Sequence, residues 1–248
     1  FKHSLIRDAV YIGVNSETKI KLHSKIANTL LKSELEINYE IVSIHFSNAK
    51  EFERATEYGI LHLRNVAKNN ENNLAIEWFE KIKVWVSKID DDEVLSKYLL
   101  EINKIVVGVH ISLYGYATEN VKNISNQTIT IIEKYKIKED ADLEYFKRIV
   151  KIHEYLSLHH SKERNSAGIL GEKLLNEFRD KTDYIGELVL LCHLSQSYFI
   201  DGDIIKSIKS FEYCISLYLT IGEPDLSISY GMDVLPHCYG MISLSYLH

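Results

Sequence analysis

The 248 residues are 46% hydrophobic and 26% charged, with 2 Pro and 11 Gly, which excludes a disordered or collagen-like chain. Three Cys, at 192, 214 and 238, are odd in number and too few for a disulfide framework, so reduced thiols and a cytoplasmic setting are expected. With 29 basic against 35 acidic residues the net charge is −6, which argues against nucleic acid as a direct partner.

The longest nearly apolar run, 105–117, has 13 residues and contains His110, so it is too short to span a bilayer and no membrane partner is expected. No charged-then-apolar leader opens the chain. It begins with Phe1 and ends with His248, and the expectation is a truncated excerpt of a longer protein. Residues 1–33 hold six basic and two acidic residues, whereas 182–248 hold two lysines and eight acidic residues. That last stretch is otherwise apolar, as expected where further chain packs beyond it.

In chain order, the first 31 residues read FKHSLIRDAVYIGVNSETKIKLHSKIANTLL. Phe1, His3, Leu5, Arg7, Ala9, Tyr11, Leu22, His23, Ile26, Ala27 and Leu30 match a pattern that closes the winged helix of other proteins. The stretch resembles signalling P-loop ATPases of the STAND class, in which a nucleotide domain is followed by tetratricopeptide repeats. IHFSNAKEFERATEYGILHL (44–63) continues the resemblance through His45, Ala49, Ala55 and Tyr58, with His62 where a small residue is commoner. By the same resemblance His3 stands where related receptors place a nucleotide-sensing histidine, although Ser4 replaces the Asp that follows it there.

From residue 22 onward almost every segment has helical period. Leu22, Ile26 and Leu30 form one predicted stripe with Ala27 beside it, and Ile76, Phe79, Ile82 and Val86 form another. Breakers fall between such segments, at Gly13–Ser16, Asn69–Asn73, Asp90–Asp92, Lys138–Asp140, Asp201–Asp203 and Gly222–Asp225. The pattern predicts an all-α chain of about a dozen helices.

The segments also repeat. Ala55 with Tyr58, and Ala75 with Phe79, are weak copies of a unit that is clearest at 191–218. There Leu191, Leu194, Ser195 and Tyr198 lie on a first helix; Gly202 is predicted to end it in a left-handed conformation, and Asp203 to cap the next. The second helix carries Ser207, Phe211 and Cys214 at close-packing spacing. This unit resembles the tetratricopeptide repeat, and MISLSYLH (241–248) is read as another first helix with Ser243 and Tyr246 in the matching places. Residues 95–165 fit the consensus poorly. The expected fold is therefore an all-α, right-handed superhelical array of antiparallel helix pairs. Residues 1–35 would end a winged helix, and 36–248 would be repeats continuing beyond the C-terminus.

Catalytic and metal signatures are missing from the sequence. Without G-x-x-x-x-G-K-[ST] the segment has no phosphate cradle, so ATP or ADP is expected only in an upstream domain and no cofactor in this one. The cysteines lie 22 and 24 residues apart, which disfavours structural zinc and assigns Cys214 to the core. His153, His159 and His160 form the densest His group, but H-E-x-x-H is absent, and a solvated or groove-lining face is expected there. Asp90-Asp91-Asp92-Glu93 reads as helix capping. No catalytic residue, no metal site and no enzyme activity are expected. What remains is surface: Cys192, Gln196 and Phe199, on the first helix of the clearest unit, are the predicted groove for a peptide or protein ligand. The expected role is a non-catalytic sensor or scaffold segment coupled to its own upstream ATPase domain. The alternative is a free-standing tetratricopeptide-type peptide-binding adaptor.

Overall fold

The computed structural model describes residues 11–32, 37–135, 140–159 and 164–247. His3, Ser4, His160 and the expected boundary between residues 35 and 36 lie outside the described residues. Within them all regular structure is helical. The helices are α1 (Ser16–Leu31), α2 (Tyr39–Asn48), α3 (Phe52–Lys68), α4 (Asn72–Val86), α5 (Asp92–Tyr114) and α6 (Glu119–Tyr135). They continue as α7 (Asp140–His159), α8 (Arg164–Asp180), α9 (Tyr184–Ile200), α10 (Ile204–Thr220), α11 (Ser227–Tyr230) and α12 (Val234–Ser245). The all-α expectation holds, and within α1–α4 and within α6–α10 each helix packs against the next. None is long and apolar enough to cross a membrane.

One turn recurs between these helices. At Lys50, Asn70, Thr182 and Gly202 the backbone turns left-handed. The next residue then donates its N–H five residues back: Glu51 to Phe46 O, Glu71 to Val66 O, Asp183 to Phe178 O and Asp203 to Tyr198 O. This closure satisfies carbonyls that a helix end would otherwise orphan. An acidic residue follows each time, and its carbonyl accepts the first bond of the next helix, from Ala55, Ala75, Glu187 and Ser207. Asp183 and Asp203 add side-chain caps to Gly186 N and Lys206 N. The predicted roles of Gly202 and Asp203 are as read, and Asp91 likewise caps α5 through Glu93 N and Val94 N.

The chain forms two compact units, Phe1–Ile102 and Asn103–His248, and the division falls inside α5. In the first, α1 packs on α2, α2 on α3 and α3 on α4 around Val42, Phe46, Ile60, Leu63, Trp78 and Ile82. Gly59 lets α3 approach α4, since a Cβ there would lie 2.9 Å from Trp85 Cζ3 and 3.1 Å from Ile82 Cγ1. The α4 stripe is as predicted at Phe79, Ile82 and Val86, with Ile76 half-buried. The α1 stripe is not: Leu22 and Ile26 are exposed while Ala27 is buried. Polar contacts set that face instead. Tyr11 and His45 hydrogen-bond His23 at 2.8 and 2.7 Å, and Arg54 donates to Asn28 Oδ1 at 2.9 Å.

In the second unit α6 to α10 again pack in order, and α12 sits on α10 with a smaller contact to α9. Phe146, Ile149, Ile152, Leu188 and Phe211 are fully buried. Ser207 is also buried, and its hydroxyl donates to Ser195 O at 2.9 Å, tying α10 to α9 where the two backbones approach. The short α11 is held by tyrosines. Tyr145 OH donates to Ser229 O at 2.6 Å, Tyr116 OH donates to Tyr230 O at 3.0 Å, and Arg148 bonds both Tyr230 OH and Asp183. On α12 Ser243 is exposed and Ser245 buried, and Tyr246, just past the helix, is exposed.

Candidate functional site

Helix α9 buries Leu188, Val189, Leu190, Leu191, Cys192, Leu194 and Ser195, leaving only a narrow face accessible. On that face His193, Gln196, Ser197 and Ile200 line a cleft of about 310 Å³. The facing wall comes from Leu156 and His159 at the end of α7, and from Tyr114, Gly115, Tyr116 and Ala117 after α5. Gly115, at φ +78°, turns the chain there, with Tyr114 exposed before it and Tyr116 buried after it. The Tyr116 ring meets the His193 ring edge-on, centroids 4.9 Å apart, which fixes the imidazole in the wall.

The cleft floor is polar. Ser197 Oγ lies 2.8 Å from Tyr155 OH, 2.7 Å from His159 Nε2 and 3.0 Å from His193 O. A carbonyl can only accept, so where the hydroxyl proton goes to His193 O, Ser197 Oγ accepts from both Tyr155 and His159. In that arrangement His159 carries its proton on Nε2. A serine activated as a nucleophile needs the opposite arrangement, with the imidazole accepting. The three contacts order the cleft floor. Burial pushes Tyr155 up to about 12, which keeps this donor protonated.

Of the residues read from the sequence as groove, Gln196 lines the cleft, half-buried. Phe199 is half-buried and is not part of the lining. Cys192 is a correction: it is fully buried, because α9 is covered on the side facing α10 and α12, and it offers nothing to an open groove. Sequence reasoning missed His193, Ser197 and the Tyr114–Ala117 turn, and the only signal for the last was the Gly115 break. In the His153–His160 group, His159 lines the cleft, as a groove-lining face requires, whereas His153 is buried: its Nδ1 lies 3.5 Å from Ser157 Oγ, and burial lowers its pKa. His159 Nε2 lies 2.7 Å from Ser197 Oγ.

A second hollow, about 410 Å³, runs along α10 past Lys206, Lys209, Tyr213 and Arg179. Arg179 there donates at 2.7 Å to Glu187, a buried carboxylate that also accepts from Tyr213 OH. The Lys206 ammonium lies 3.8 Å from the Tyr198 ring centroid.

Beneath the cleft helix the three cysteines converge. Cys192 on α9, Cys214 on α10 and Cys238 on α12 are all buried, and their sulfurs all lie within 4.8 Å of one another. Cys192 Sγ and Cys238 Sγ are 4.0 Å apart. The spacing of 22 and 24 residues, read as disfavouring a shared site, is instead one residue per helix at the level where three helices meet. The shared S–H contacts split the thiols: those from Cys192 and Cys214 hold Cys238 well below the usual range, while Cys192 is pushed well above it.

Comparison of the chain with family models, with curated proteins and with solved structures finds no match.

Proposed function

We propose that the chain is a non-catalytic helical-repeat scaffold that binds a peptide or protein segment in the cleft along α9. The observation that carries this reading is the composition of that cleft. Tyr114, Leu156 and Ile200 provide apolar wall, and Gln196 brings an amide able to donate and accept at once. Such a surface suits a segment with one apolar side chain and a free backbone amide or carbonyl beside it. Consecutive packing of similar helix pairs supports a tetratricopeptide-like superhelical array, whose first helices would line the concave side.

The wider setting rests on the resemblance over roughly residues 1–85, and over 185–218 through the repeat. We assign the chain to a cytoplasmic signalling ATPase of the STAND class, with the ligand-bound array biasing an upstream nucleotide domain. The His23–His45 hydrogen bond supports this, since two residues that match the family pattern touch each other. A free-standing adaptor is the second reading, and the parent reading frame separates the two by an upstream Walker motif.

The test of binding is selection of peptides from a displayed random library against the chain. Selected peptides lose at least about tenfold in affinity, roughly 1.4 kcal/mol, against Ile200→Asp and Gln196→Ala. They keep full affinity for Leu219→Asp, an exposed site on α10. Peptides indifferent to Ile200 and Gln196 contradict the assignment.

A further inference from the structure

We propose that Cys192, Cys214 and Cys238 form a three-thiolate site for a single soft metal ion, Cu(I) in class, joining α9, α10 and α12. These are all the cysteines of the chain, drawn from three helices to one point, and all three are free and fully buried. Isolated core cysteines act as small apolar residues and have no reason to meet. Here the sulfurs form a triangle with one side of 4.0 Å and no separation above 4.8 Å. The centre of a triangle with sides of 4.0 Å is about 2.3 Å from each corner, the length of a metal–thiolate bond. The other two sides, each within 4.8 Å, need to settle near the same value when an ion binds.

The ligand count selects the ion. Structural Zn(II) takes four tetrahedral ligands. Among the described residues no His, Cys, Asp or Glu joins the three sulfurs as a fourth. Thiolate-only sites favour soft ions, and Cu(I) accepts three sulfurs in a plane. Each thiol that coordinates gives its proton to solvent, so binding releases protons. The S–H contacts among the sulfurs are replaced by bonds to the ion, and α12 becomes tied to α9 and α10 by coordination as well as by packing.

The experiment titrates the full chain, anaerobic and reduced, with Cu(I) supplied as its acetonitrile complex, and in a parallel arm with Zn(II). The expected result is one Cu(I) per chain, with thiolate-to-metal charge-transfer absorbance that stops growing at one equivalent. X-ray absorption then shows an all-sulfur shell of about three atoms near 2.3 Å, and hydrogen exchange of 234–245 slows. Cys192→Ala, Cys214→Ala and Cys238→Ala each weaken binding by more than the roughly 100-fold that loss of an outer-shell partner costs. Where a variant does not fold, the wild-type absorption spectrum decides. A shell containing nitrogen or oxygen, binding unchanged in the Cys→Ala variants, or no charge-transfer band overturns the proposal. Zn(II) held by the three sulfurs and a fourth protein ligand overturns the three-coordinate assignment.

Discussion

The α3–α4 hairpin and the α9–α10 hairpin are built on one register with different chemistry. Counting from the acidic residue after the left-handed turn, Ala75, Phe79 and Ile82 follow Glu71 as Ser207, Phe211 and Cys214 follow Asp203. All six are buried. In the first hairpin the crossing is made with methyl groups and a glycine, Gly59. In the second the same places hold a hydroxyl and a thiol. A hydroxyl at a close crossing must find a partner, and Ser207 finds Ser195 O. A thiol needs none, but it leaves reactive sulfur in the core. Register thus decides where helices cross, whereas residue chemistry decides whether the crossing is inert.

If the two registers correspond, removing the shared aromatic should be costly in both. Phe79→Ala and Phe211→Ala are each expected to destabilise by about 3–5 kcal/mol in chemical denaturation. Hydrogen exchange should loosen first around 52–86 for the former and around 184–245 for the latter. A variant that melts with the wild type breaks the correspondence at that hairpin. Gly59→Ala should cost about 1–3 kcal/mol, because the new methyl group meets the Trp85 ring and Ile82. Ser207→Ala converts the second crossing toward the first and should cost about 1 kcal/mol for the hydrogen bond to Ser195 O.

The polar exception in the first hairpin has a pH signature. His62 packs edge-on against Trp78, centroids 4.4 Å apart, and its Nε2 is buried with no hydrogen-bond partner among the described residues. Burial lowers its pKa and outweighs the attraction of Glu40 and Glu71, while Lys81 acts in the same direction as burial. The unfolded chain therefore takes up the proton first. The stability from neutral His62 is full above about pH 6.5 and is lost as pH falls through the folded value. His62→Phe should flatten part of that acid loss, and an unchanged pH profile contradicts the assignment. The smallest effect belongs to the exposed face of α10, where Lys209→Ala should shift stability by no more than about 0.5 kcal/mol.

Helix content and the α9–α10 register were legible because periodicity and the Gly202-Asp203 turn both announce themselves in residue type. The turn at Asn70 was legible only as a break, and those at Lys50 and Thr182 were not, since Lys and Thr enter the left-handed region against their preference and only the backbone closure reveals it. At α1 an apolar stripe was visible, yet His23 and Asn28 set the buried face through hydrogen bonds that periodicity does not encode. Gln196 was found because one free helix face can be counted. Cys192 was misplaced because a helix buried on nearly every side has no apolar stripe to read. The meeting of three cysteines lay beyond spacing rules, which describe ligands grouped within one loop rather than one per helix.

The function proposed above places ligand capture in the cleft along α9. It is tested most directly by hydrogen exchange of the chain with and without a selected peptide at saturation. Capture there slows exchange in 114–117, 156–159 and 193–200 and leaves residues 52–86 unchanged. Protection confined to other segments, or none at saturation, contradicts it.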